Sequence, residues 1–133
     1  LVALLACAIV FAQERTRSVW DGVYTRQQAD RGEDQYARRC AGCHGDGLEG
    51  DVVEHPELAG GNFRDKWDGE TLGDLFERIH RDMPQPKPGS LSRETTVDLI
   101  AYILNANHYP AGERELPRDS PSLKQIRIES RRH

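Results

Sequence analysis

Cys40-Ala41-Gly42-Cys43-His44 is the stretch on which the reading of this chain turns. Its two thiols lie three positions apart and a histidine follows at once, which is the spacing of a covalent haem attachment site. Each thiol can add across a porphyrin vinyl group to give a thioether, and the adjoining imidazole then lies under the iron as its proximal ligand. A thioredoxin-like redox pair shares the spacing but opens a helix after a strand, and no strand-like run precedes Cys40. Half of a zinc site is the other reading. The remaining cysteine, Cys7, lies in an apolar leader and does not complete four ligands.

A haem that only carries electrons needs a sixth ligand from the protein, and Met83 is the sole methionine. It follows an amphipathic stretch and opens the proline-rich loop Met83-Pro84-Gln85-Pro86-Lys87-Pro88-Gly89, where a side chain can turn inward without interrupting backbone pairing. Thioether sulfur is a soft ligand that favours Fe(II), so histidine/methionine ligation raises the reduction potential. His80 competes for the position; near a helix end, a solvent-facing role suits it better. His55, His108 and His133 are weaker candidates. A ligating histidine donates its second ring nitrogen to an acceptor, and the stiff backbone at Pro56 is the place to look for that carbonyl.

The surrounding pattern is helical. Ala29, Gly32, Tyr36 and Cys40 recur at helical spacing over about Arg26 to Cys40, and Gly32 suggests a second helix in close approach, with Tyr36 one turn on as a contact. Gly45 to Gly50 reads as a flexible turn over the haem edge, and His55 to Phe63 as loop with two apolar anchors. Thr71 is an N-cap with Asp74 at the N3 position, and Leu72, Leu75, Phe76 and Ile79 form the buried stripe of a helix ending near Asp82. Ser92 caps a third helix whose middle, Val97 to Leu104, is nearly all apolar; Asn105, Asn107 and Pro110 end it. From Ala111 an irregular polar tail is expected, with Leu116, Leu123, Ile126 and Ile128 as docking points and fraying at Arg131-Arg132-His133.

Of the 133 residues 37% are apolar and 30% charged, so a small core needs a staple, and a bound haem would supply it. The sequence divides into a leader (1–12), an arm (13–25) with isolated apolar residues, a main domain (26–109) and an extension (110–133). Leu1 to Ala12 is uncharged and apolar, and Gln13-Glu14-Arg15 follows, as in an export signal cut at Gln13 after the small residues Val10 and Ala12. With no initiator methionine or basic segment ahead of it, the sequence is read as starting inside that signal. The segment is shorter than the roughly 20 residues of a membrane span. Leu4-Leu5-Ala6-Cys7 also matches a lipoprotein box, so a lipidated Cys7 or an uncut leader would give membrane association; the apolar run continuing to Ala12 favours cleavage. The expected location is the periplasm, or otherwise exported, and with the leader removed Cys40 and Cys43 are the only thiols.

Asp46 to Glu77 carries ten acids against two bases, Arg64 and Lys66, whereas six bases face four acids from Glu113 onward. Such segments are a solvated surface or a steering field for a redox partner. Nucleic-acid binding would need a clustered basic face and is not expected.

From Arg26 to Asn107 these residues resemble a class I cytochrome c: Gly32-x-x-x-Tyr36-x-x-x-Cys40-x-x-Cys43-His44, Pro56-x-Leu58-x-Gly60, Met83-Pro84, then a hydrophobic last helix with Leu99 and Tyr102. The resemblance implies an all-α fold of three main helices and loops wrapped around one covalent haem c. It implies that Gly32 and Tyr36 cross Leu99 and Tyr102, that the Pro56 carbonyl accepts from the His44 ring, and that Leu58 lines the haem. Cofactor-binding residues would be Cys40, Cys43, His44, Pro56, Leu58 and Met83, with His44 and Met83 on the iron. The flanks Val19 to Tyr24 and Glu113 to Ile128 look similar to those of bacterial cytochromes associated with quinoprotein dehydrogenases. That makes a redox protein, a quinoprotein dehydrogenase or a terminal oxidase, the expected partner. The implied function is exported one-electron transfer with no catalytic residue. The alternative is a haem enzyme or sensor with an open distal site, peroxidase-like, which would need a vacant sixth position and a distal acid-base pair.

Overall fold

Two long helices cross at the centre of the molecule: α1, Arg26–Arg39, and α5, Arg93–Ala106. The computed structural model describes residues 16–132. Helix α1 begins where the Thr25 hydroxyl accepts the Gln28 amide, and its buried residues Ala29, Gly32 and Tyr36 make one stripe at three- and four-residue steps. At Gly32 the two backbones nearly touch. A Cβ there would lie 1.9 Å from the Asp98 carbonyl oxygen and 2.9 Å from the Tyr102 Cβ. One turn on, the rings of Tyr36 and Tyr102 pack with centroids 5.2 Å apart. The crossing expected at Leu99 and Tyr102 therefore centres on Asp98 and Tyr102.

Asp98 is a carboxylate at the heart of an apolar helix, 5% exposed. Arg31 of α1 answers it with two parallel hydrogen bonds of 3.1 Å and extends a third, 2.7 Å, to Glu115. The ion pair thereby joins α1, α5 and the segment beyond α5.

Helix α4, Leu72–Asp82, starts in a reciprocal cap: Thr71 Oγ1 accepts the Asp74 amide and the Asp74 carboxylate accepts the Thr71 amide. Leu72, Leu75 and Phe76 are buried on its inner face. Ser92 caps α5 through the Thr95 amide at 3.0 Å. Between α1 and α4 lie a single turn, α2 (Ala41–His44), and a two-turn helix, α3 (Gly61–Trp67).

Helix α3 corrects the expectation of loop as far as Phe63. Phe63 is buried at 1% exposure and Trp67 follows at the i+4 position, ring centroids 6.3 Å apart. Two apolar residues entered through Gly60-Gly61 are too short a pattern to announce a helix. The turn expected to be flexible is also fastened: Leu48 is 3% exposed, and the Tyr36 hydroxyl donates to the Gly45 carbonyl at 2.7 Å.

The tail is irregular as far as Asp119, and beyond that it is more ordered than expected. Asp119 caps a short helix, α6 (Ser120–Leu123), by accepting the Ser122 amide. The chain then forms a strand, β2 (Ile126–Arg127), parallel to β1 (Arg17–Ser18) of the arm, with Arg17 opposite Ile126. Leu116, Leu123, Ile126 and Ile128 are all buried, as are Val19, Val23 and Tyr24 of the arm. Trp20 Nε1 donates to the Glu129 carbonyl at 3.0 Å, and the buried Gln28 side chain accepts the Leu116 amide at 2.8 Å. Among the described residues, these two-residue strands form the one sheet of an otherwise all-α fold. No helix among them is long and apolar enough to cross a membrane. The leader, Cys7, the expected cut at Gln13, and His133 lie outside the described residues.

Candidate haem site

Helix α1 delivers Cys40 at its end, where the Cys40 amide donates to the Tyr36 carbonyl at 2.9 Å. The chain then turns once. The amides of Cys43 and His44 both donate back to the Cys40 carbonyl, at 3.1 and 2.9 Å, so a single turn gathers both thiols and the imidazole. Cys40 is half-buried and Cys43 exposed.

His44 is 8% exposed, and its Nδ1 lies 2.9 Å from the Pro56 carbonyl oxygen. A carbonyl only accepts, so this contact assigns the proton to Nδ1 and leaves the Nε2 lone pair free to bind a metal. Pro56 lies on a short strap fixed to the turn above it: the Leu58 amide donates to the Leu48 carbonyl at 2.8 Å, and the Gly50 amide to the His44 carbonyl at 2.7 Å.

Cys40, Cys43, His44, Pro56, Leu58 and Met83 all line one cleft of about 260 Å³. Leu75 and Ile79 of α4, Leu99 and Ile103 of α5, and Trp67 of α3 complete its apolar walls. Met83 is the first residue past α4; its amide still donates to the Ile79 carbonyl at 3.0 Å while its backbone turns extended. The histidines divide. His80 does not line the cleft: it is half-buried, stacks on Phe76 with centroids 5.1 Å apart, and has Nδ1 3.4 Å from the Thr96 hydroxyl. His55 stands at the rim, its Nδ1 2.5 Å from an Asp51 carboxylate oxygen. His108 is exposed and outside the lining.

The residues fit a covalently attached haem. A planar apolar group needs apolar walls, two sulfurs at one edge, and an imidazole with a free Nε2, and the cleft offers all of them. The competing readings fit less well. Redox dithiols require a depressed thiol pKa, whereas burial in the cleft pushes the Cys40 thiol up to about 11. Among the described residues no three His, Cys, Asp or Glu side chains converge on a metal-sized site, so the zinc reading finds no further ligands.

Sequence reasoning missed Trp67, Ile103 and Leu48. Trp67 could have been found from its i, i+4 pairing with Phe63. Leu48, flanked by Gly47 and Glu49, carries no periodic signal, and its carbonyl, which accepts the Leu58 amide, is invisible in sequence.

The fold is similar to that of the sulfane dehydrogenase SoxCD from Paracoccus pantotrophus, with a TM-score of 0.52 and 23% identity. The match covers 82% of this chain and 61% of that one, so this chain spans under two thirds of that structure's length. No curated protein sequence matches the chain. The family model described as cytochrome C oxidase, cbb3-type, subunit III matches residues 27–103, more than half of the chain and all of the cleft from Cys40 to Ile103. With its attachment motif, its crossed helices and this match over more than half of its length, the chain belongs to that family: it is a class I c-type cytochrome, a haem-binding electron-transfer domain.

Proposed function

We propose that the chain is an exported one-electron carrier and not itself an enzyme, with one haem c bound through Cys40 and Cys43 and held axially by His44 and Met83. The supporting observation is the convergence of all six residues on one apolar cleft, with His44 Nδ1 on the Pro56 carbonyl. A haem bound there supplies the one-electron cycle between Fe(III) and Fe(II). The chain's own residues do the rest. His44 is oriented by Pro56, which also raises its basicity as a ligand. Leu58, Leu75, Ile79, Leu99 and Ile103 exclude water, which limits reorganisation when the charge changes. Export is supported by the apolar leader read in the sequence.

The partner is a redox protein with a basic docking face, of the terminal oxidase or quinoprotein dehydrogenase kind. The family's description names an oxidase subunit and the structural neighbour is a dehydrogenase, which supports that class. The surface supports the charge. Asp46, Glu49, Asp51 and Glu54 are exposed around Val52 and Val53, which are 102% and 83% exposed beside the cleft mouth. Asp51 fastens that loop, accepting the amides of Val53, Glu54 and His55. These bonds hold its carboxyl well below the usual carboxylate range, with the His55 ring contributing most.

Carbon monoxide tests the reading. The reduced native holoprotein is expected to refuse it, because Met83 fills the sixth position; tight binding without unfolding would contradict the carrier and favour an open-site haem enzyme.

A further inference from the structure

Asn107 ends α5 and is buried, with 2% exposure. Its side chain reaches out of the helix to the strap that carries Pro56. Oδ1 accepts the Gly60 amide at 2.9 Å, while Nδ2 donates to the Leu58 carbonyl and to the Ile103 carbonyl, each at 2.9 Å. An amide donor and two carbonyl acceptors leave one orientation of the carboxamide, with both its ends engaged. The Ile103 bond serves the helix end, which the Asn107 backbone amide already caps through the same carbonyl at 3.0 Å. The bonds to Leu58 and Gly60 do nothing for the helix; they bridge 49 and 47 residues of sequence.

We propose that Asn107 is a positioning residue for the haem ligand: it anchors the Pro56–Gly60 strap to α5 so that the Pro56 carbonyl stays on His44 Nδ1. The inference rests on the haem reading above. The strap has two moorings, the Leu48 carbonyl on one side and Asn107 on the other. Gly60 makes the second one reachable, since its φ of 126° is a conformation that side-chain-bearing residues rarely adopt. A firm Nδ1–H···O bond makes the imidazole a stronger donor, which favours Fe(III) and lowers the reduction potential. Slackening the strap should therefore raise it.

The test uses purified holoprotein and two variants. Asn107→Ala cuts the mooring; Ala106→Gly weakens the same helix end without touching the strap. With Asn107→Ala the reduction potential is expected to move positive and the His44 ring N–H to exchange on the order of tenfold faster, the worth of one hydrogen bond. Ala106→Gly is expected to lower the melting temperature and leave both readouts in place. If both variants shift the readouts alike, or neither does, the positioning role is overturned. Should Asn107→Ala fail to fold, native-state hydrogen exchange on the parent decides: the Gly60 and Asn107 amides are expected to open together, and a Gly60 amide exchanging about a hundredfold faster would overturn the mooring. A parent that carries no haem overturns the electron-transfer reading and this one with it, whereas a haem-loaded parent with an unmoved Asn107→Ala variant overturns this one alone.

Discussion

Met83 is placed by its own helix: the last backbone bond of α4 ends on its amide, and the extended turn that follows sets the side chain at the cleft. Replacing it with alanine leaves that bond intact and removes only the sulfur. Met83→Ala is expected to lower the reduction potential and to let the reduced protein bind carbon monoxide, both read optically; unchanged spectra and potential would remove Met83 from the iron. Gly32 makes a different demand, for space. A methyl at Gly32 would overlap the Asp98 carbonyl at 1.9 Å, a backbone atom that cannot swing aside. Gly32→Ala should cost about 3 kcal/mol, measured by denaturant unfolding of the holoprotein, and a cost near zero would show that the helices can part without penalty. At this scale the sequence was most informative where chemistry is local. The Cys40–His44 motif announces itself by spacing, and Gly32 by its cost inside a helix. Asn107 reads only as a stop signal, because its partners at Leu58 and Gly60 are brought to it by the fold.

Among the elements, α4 and α5 were legible because capping residues and apolar stripes agree: Thr71 with Asp74, and Ser92 ahead of an apolar run. Helix α3 and the α6–β2 segment were not legible. Each buries only a few side chains, and their order comes from tertiary partners: Phe63, Leu123 and Ile126 all join the one core, with α6 and β2 packed on α4. The cap of α4 carries a pH signature. The Thr71 hydroxyl holds the Asp74 carboxyl below its usual range; burial opposes it, and the Thr71 amide and Lys124 add smaller lowering effects. A carboxylate depressed in the folded state adds stability that is fully present above the unfolded value of about 3.9 and is lost as pH falls through the folded one. Asp74→Asn should therefore cost about 1 kcal/mol at neutral pH, and its deficit against the parent should close below about pH 4. A deficit that does not change with pH would assign the effect to helix propensity instead.

Across the whole molecule, the extension runs from α1, where Gln28 and Arg31 hold Leu116 and Glu115, onto α4, where Arg127 bridges to Thr71 and Lys124 pairs with Glu77, and it meets the arm through β1 and β2. Arg31 ties α1 to Asp98 and Glu115, and Leu123 of α6, which packs on α4, sits at 0% exposure. Leu123→Ala should cost about 2–5 kcal/mol in unfolding, whereas a surface-like cost under about 0.5 kcal/mol would mean the extension lies loosely on the core. The acidic loop acts at longer range. Changing Glu49 and Glu54 to glutamine should slow electron exchange with hexaammineruthenium and speed it with ferricyanide, each by about threefold at low ionic strength. The difference should vanish near 1 M salt, where the screening length is about 3 Å. Rates unchanged from the parent for both probes at low salt would remove the loop from partner steering.

The haem proposed here would be low-spin, held between one turn of chain and one distant sulfur. The most direct measurement is the optical spectrum of the purified holoprotein, oxidised and then reduced, after maturation with haem-attachment machinery. A red protein with covalently bound haem, low-spin in both states, is the predicted result. A colourless protein, or a red one that is high-spin when reduced, would contradict it.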